Sequence, residues 1–131
     1  MFKVCKILLV EDHAGTANAM ARLLRSCSHE VHVANSCQAA LSVFMQEAFD
    51  LVVTDIMLPD GNGIDLYAEL RARKTVPIIA VTAAALPLLK RVEATGFDAV
   101  LLKPVNFQKL QATIEDAIRR SSVIEAATPP P

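Results

Sequence analysis

The sequence predicts an α/β domain: a doubly wound, parallel five-stranded sheet with helices on both faces. Three observations carry that prediction. Short apolar runs rich in Ile and Val alternate five times with stretches of helical period, the pattern of a parallel sheet covered on both sides. A chain of 131 residues is one domain's worth, long enough to bury a core without disulfides or a structural metal. Right-handed crossovers then favour the strand order 2-1-3-4-5, which makes the first and third strands neighbours.

The elements follow in order. Lys6 to Val10 form the first run, and Ala17, Met20, Ala21 and Leu24 mark one face of the first helix. Glu30 to Ala34 is the most polar run and so the expected edge strand. A second helix carries Ala40, Val43 and Phe44 inward and starts near Asn35 or Ser36 as N-cap. Leu51 to Thr54 is the third strand. After it, Pro59, Asp60, Gly61, Asn62 and Gly63 form a tight loop, in which Asp60 and Asn62 read as ordinary turn residues. The third helix runs from about Ile64 to Arg73. Pro77 to Val81 is the fourth strand, and the fourth helix runs from about Leu86 to Thr95, with Pro87 in its first turn and Gly96 as its C′ glycine. Ala99 to Leu102 is the fifth strand. Asn106 caps a fifth helix whose Phe107, Leu110, Ile114, Ala117 and Ile118 fall on one stripe. Beyond Ser121 the period is lost and the chain ends in Thr-Pro-Pro-Pro, so the domain is expected to span 1–120, with 121–131 a disordered tail or linker.

Composition excludes several classes of function. The chain is 53% hydrophobic and 21% charged, with a net charge of -1 and no run of Lys or Arg that could track a phosphate backbone, so no direct nucleic-acid contact is expected. Its longest apolar stretches, Ile7 to Val10 and Val76 to Leu89, are short or broken by Pro77, Thr82 and Pro87, whereas a bilayer takes about 20 residues. No membrane contact is expected. The N-terminus lacks a signal peptide's layout, which predicts a soluble, cytoplasmic protein. Cys5, Cys27 and Cys37 have no metal-ligand spacing and read as reduced thiols.

Function in such sheets sits beyond the carboxyl ends of the strands, where the winding reverses. Glu11 and Asp12 follow the first strand, Asp55 the third, Thr82 the fourth and Lys103 the fifth, itself followed by Pro104. Adjacent strands lie about 4.8 Å apart, which brings Asp12 and Asp55 close together with Glu11 beside them. Three carboxylates so close repel one another unless a cation neutralises them. Mg²⁺ fits an all-oxygen site, with Mn²⁺ as the alternative. A carboxylate nucleophile beside that ion, a lysine ammonium and a hydroxyl are the parts that phosphoryl transfer needs. Alone, an Asp after a strand is usually a helix cap and a Lys-Pro a strand end. Five such residues at one edge read as a site.

On these residues the sequence resembles the receiver domain of two-component response regulators, over about 5–120. The stretches that carry the resemblance are Ile7-Leu-Leu-Val-Glu-Asp12, Asp50-Leu-Val-Val-Thr-Asp-Ile-Met-Leu-Pro-Asp-Gly-Asn-Gly63, Pro77-Ile-Ile-Ala-Val-Thr-Ala83, Gly96-Phe-Asp-Ala99 and Leu102-Lys-Pro104. The resemblance implies a flavodoxin-like fold. It also implies that Asp55 accepts a phosphoryl group from the phosphohistidine of a histidine kinase or a histidine phosphotransfer protein. Asp12, Asp55 and the backbone carbonyl of Met57 would bind Mg²⁺, with Glu11 holding it through water. Lys103 would contact the phosphoryl group, and Thr82 would be the switch hydroxyl. Donor docking would fall on Gly15, Thr16, Ala19 and Arg22 of the first helix, beside Val105, and an output partner would read the fourth helix, fifth strand and fifth helix. A cis peptide between Lys103 and Pro104 is implied too.

The chain departs from the family pattern in two places that bear on switching. Three positions before the lysine, where the family usually has an aromatic ring that turns inward, stands Val100. Met57 replaces polar residues seen there in many relatives, which points to slower loss of phosphate. Such a domain is not an enzyme in the ordinary sense, since it catalyses only its own phosphotransfer and autodephosphorylation. Three other readings compete. One is a receiver module of a hybrid sensor kinase, acting as phosphorelay intermediate or sink. Another is a small phosphatase of the haloacid-dehalogenase type, which wants a second Asp two residues after the nucleophile, where this chain has Met57. The last is a phosphate-independent interaction domain, which the full set of acids, Thr82 and Lys103 disfavours.

Overall fold

The computed structural model describes residues 4–127, with side chains described to Ser121. Strand β1 (Lys6–Val10) leads to helix α1 (Ala14–Ser26), β2 (Glu30–Ala34) to α2 (Cys37–Gln46), and β3 (Leu51–Asp55) to a small hairpin of β4 (Met57–Leu58) and β5 (Gly61–Asn62). Then come α3 (Gly63–Arg73), β6 (Ile78–Thr82), α4 (Leu88–Thr95), β7 (Ala99–Leu102) and α5 (Phe107–Ala127). The main sheet is parallel with order β2-β1-β3-β6-β7. This is the order 2-1-3-4-5 that the alternation predicts, with the polar second strand at one edge.

Each central strand is apolar on both faces because both faces are covered. Alternation sends Ile7 and Leu9 of β1 toward α1 and α5, where they meet Leu24, Leu110 and Ile114. Leu8 and Val10 go the other way, to Phe44 of α2 and Leu66 and Leu70 of α3. A third, smaller cluster of Ile56, Ala80 and Val92 lies under α4. Fully burying each such side chain is worth about 1.5–3 kcal/mol, and this two-sided core holds the carboxyl edge of the sheet still.

The helix ends follow local chemistry. Ser36 caps α2 by accepting from the Ala39 amide at 3.1 Å, Asn62 caps α3 by accepting from Asp65 at 2.9 Å, and Asn106 accepts from Lys109 at 3.1 Å at the start of α5. Gly96 ends α4 with φ 112, a left-handed conformation that glycine adopts without strain. Two boundaries differ from expectation. Helix α4 starts at Leu88 rather than Leu86, because the residue before a proline is pushed out of the α region and Pro87 becomes the N-cap. Helix α5 stays helical to Ala127, past the point near Ser121 where the sequence loses its period. The rest of the expected tail, 128–131, lies outside the described residues. The Lys103–Pro104 peptide is cis, as is Leu86–Pro87.

Candidate functional site

Strand register decides which side chains meet. Val10 pairs with Thr54 across β1 and β3, so Glu11 and Asp55 stand level at the carboxyl edge. Asp55 is opposite Val81 on β6, and Thr82 is opposite Leu102 on β7, immediately before Lys103. Asp55 and Thr82 are the last residues of their strands rather than the first beyond them.

The four strands thus converge on one charged cluster. Lys103 Nζ donates to Glu11 Oε2 and to Asp55 Oδ2, each at 2.9 Å. The other oxygen of Asp55, Oδ1, accepts from the Ile56 amide at 2.7 Å and the Met57 amide at 3.3 Å. Glu11 Oε1 accepts from the His13 amide at 3.1 Å. Both carboxylates are buried, Glu11 at 4% and Asp55 at 7% exposure, whereas Asp12 is open to solvent. Burial alone would push the Lys103 ammonium down, but its hydrogen bonds and charge attraction to Asp55 and Glu11 outweigh that and hold its pKa above the usual lysine value. The lysine therefore stays a cation at neutral pH and titrates above its usual range.

Glu11, Asp12 and Asp55 each present a carboxylate oxygen, and these oxygens lie within 4.8 Å of one another. An all-oxygen, all-anionic set with one member open to water suits a hard divalent cation that keeps part of its hydration shell. Thr82 is fully buried, and its Oγ1 accepts from the Ala84 amide at 2.9 Å, which leaves the hydroxyl proton to donate. The loop after Asp55 is pulled tight under the site. The Gly63 amide donates to the Ile56 carbonyl at 2.7 Å, and a Cβ at Gly63 would stand 2.6 Å from the Asp55 carbonyl, so only glycine fits there.

The predicted docking residues divide. Gly15, Thr16, Ala19 and Val105 line a groove of about 710 Å³ between α1 and the start of α5, whose walls also include His13, Leu23, Phe107 and Lys103. The groove therefore runs up to the charged cluster. Arg22 lies on α1 but is not part of its wall.

Sequence reasoning missed two residues around the site. His13 caps α1, its Nδ1 accepting from the Thr16 amide at 3.1 Å, although histidine is not among the favoured caps. Asp60 reaches across to α2, its two carboxylate oxygens accepting from the Cys37 amide at 2.8 Å and the Gln38 amide at 2.9 Å. A Pro-Asp-Gly turn signals only itself; nothing local marks a partner 23 residues upstream. No helix among the described residues is long and apolar enough to cross a membrane.

The family model described as the response regulator receiver domain matches residues 7–115. The chain is 35% identical over 126 residues to the transcriptional regulatory protein ZraR of Escherichia coli, an alignment that covers 94% of this chain and 28% of that protein. To the sensory transduction protein RegX3 of Mycobacterium tuberculosis it is 38% identical over 115 residues, or 87% of this chain and 51% of the relative. It thus spans about half or less of the length of these relatives. Among solved structures, a CheY-like receiver domain protein of Methanospirillum hungatei superposes with a TM-score of 0.84 at 28% identity, covering 92% of this chain and 98% of that one.

Proposed function

The chain belongs to the response regulator receiver domain family of two-component systems, and we propose that Asp55 is the carboxylate that takes the phosphoryl group. The observation that carries this is the bridge from Lys103 to Glu11 and Asp55 at 2.9 Å, with Asp12 beside it.

In the proposed step an Asp55 carboxylate oxygen attacks phosphorus, a new O–P bond forms, and the N–P bond of a donor phosphohistidine breaks with its electron pair staying on the imidazole. The product is an acyl phosphate, which water later cleaves to return the free carboxylate. Lys103, already aimed at Asp55 Oδ2, turns to a phosphoryl oxygen as negative charge arrives there. Thr82 supplies its hydroxyl proton to another. Glu11, Asp12, Asp55 and the Met57 carbonyl are the groups that would hold Mg²⁺, which when bound neutralises the carboxylates and the phosphoryl oxygens. The chain then acts on itself rather than turning over a substrate. A histidine kinase or histidine phosphotransfer protein would approach along the groove lined by Gly15, Thr16, Ala19 and Val105, because that groove opens beside Lys103. The output partner would read α4, β7 and α5.

Acetyl phosphate with Mg²⁺, followed by intact mass measurement, tests the assignment. The protein is expected to gain one phosphoryl mass, and Asp55→Asn to gain none while keeping its fold, since the amide preserves shape but is not a nucleophile. Labelling of the Asn variant would move the acceptor elsewhere. Sustained release of phosphate without a labelled protein would favour a phosphatase.

A further inference from the structure

We propose that Asp60 is a positioning residue for the acceptor site: its carboxylate straps the β4–β5 hairpin to the N-terminus of α2 and so holds the Met57 backbone beside Asp55. This rests on the reading of Asp55 and Met57 as part of a cation-assisted acceptor site.

The hairpin has little else of its own. It consists of two residue pairs, Met57 with Asn62 and Leu58 with Gly61, and so short a ladder is not stable by itself in water. Leu58 is buried among the side chains near α2 and α3, which fixes one corner. Asn62 and Gly63 tie the return strand to α3 and to Ile56. Asp60 is at the turn, farthest from those anchors, and takes two of the first amides of α2 at 2.8 and 2.9 Å. Those amides have no partner within their own helix, and the positive end of the helix dipole favours a carboxylate there. Ser36 serves the next amide, that of Ala39. Helix α2 is itself locked to β1 and β2 through Phe44 and Ala40. The strap therefore carries the rigidity of the sheet to a loop whose first residue, Met57, donates its amide to Asp55 Oδ1. Without it the hairpin samples positions in which the Met57 carbonyl is not beside the carboxylates, and apparent affinity for a cation falls by the fraction of time spent there.

The test is a titration of ¹⁵N-labelled protein with magnesium chloride, following the amide resonances of Asp55 and Met57. In Asp60→Ala the half-saturating concentration is expected to rise about threefold to tenfold, the size of a lost cap. Acetyl phosphate labelling at saturating Mg²⁺ should stay within about twofold of the parent, since the reacting groups are untouched. Ser36→Ala is the control: it removes a cap from the same helix end but leaves the strap, and it should keep the parent value. An unchanged half-saturation in Asp60→Ala, or an equal rise in Ser36→Ala, would overturn the positioning role. A parent protein whose resonances ignore Mg²⁺ would instead sink the acceptor reading beneath it.

Discussion

Cys37 stands where the strap meets α2, and its thiol records that contact. Its Sγ lies 3.8 Å from the Asn62 carbonyl, and burial, followed by the nearby charges of Asp60 and Asp65, pushes its pKa up to about 11. A thiol reacts as the thiolate, so Cys37 should alkylate slowly at pH 8, where only about one in a thousand is ionised. The sign for stability follows. The folded pKa is above the ordinary thiol value of 9.0, so this contribution is intact below that value and is lost as pH rises toward 11. Iodoacetamide labelling across pH 7 to about 12 with peptide mapping checks this. The Cys37 rate should have its midpoint near 11 in the parent and a lower one in Asp60→Asn, where a charge and a hydrogen bond are gone. An unshifted midpoint would mean that Asp60 does not face the thiol in solution. The opposite effect acts on Asp60, whose carboxyl the Gln38 and Cys37 amides hold below the usual carboxylate range.

Strand β7 has two faces with different neighbours, and that division limits what phosphorylation can move. Val100 packs with Ile56, Ala80 and Val92 under α4, whereas Leu101 faces the cluster built on Leu110 and Ile114 of α5. Valine is stiff at χ1 and has no ring to swing, so a pull on Thr82 is expected to disturb residues 82–88 more than α5. Amide shifts on adding beryllofluoride with Mg²⁺ measure this: changes along Phe107 to Ile118 as large as those from Thr82 to Leu88 would contradict it. The elements themselves were legible because period and strand alternation depend on neighbours a few residues away. The site was legible for a related reason. Once strand order is known, Glu11, Asp12, Asp55, Thr82 and Lys103 must share an edge. What escaped was of two kinds: the reach of Asp60 to α2, a long-range pairing with no local signature, and the β4–β5 ladder and the late start of α4 behind Pro87, local features too short for periodicity to mark. Arg22, expected on the same exposed stripe of α1 as Gly15, Thr16 and Ala19, stands outside the groove wall, because the helical period places a residue on a face without saying how far a groove reaches.

At the scale of the molecule, the acceptor edge is a fault in an otherwise well-satisfied core. Two buried carboxylates, Glu11 and Asp55, are bridged by one ammonium, Lys103, and a third carboxylate, Asp12, lies nearby. Charges taken out of water are costly even when paired, and removing the partner of a buried pair costs more than the pair contributes. Two variants should therefore move stability in different directions. Lys103→Met leaves Glu11 and Asp55 facing each other without a cation and should lower stability by about 1–3 kcal/mol, toward the lower end because the lysine side chain is 25% exposed. Asp12→Asn removes one member of the repelling set and should leave the melting temperature unchanged or slightly higher. A bound cation would supply the positive charge that this edge lacks. A cation at about ten times its dissociation constant adds about 1.4 kcal/mol, which for a domain of this size is a rise of roughly 4–7 °C in melting temperature. Asp12→Asn should abolish most of that rise, since its carboxylate is the one open to the incoming ion. Differential scanning calorimetry with Mg²⁺ and with a chelator measures all four quantities. A parent protein indifferent to Mg²⁺, or an Asp12→Asn variant that responds as fully as the parent, would show that these carboxylates are not a cation site and that the strain at this edge is relieved by Lys103 alone.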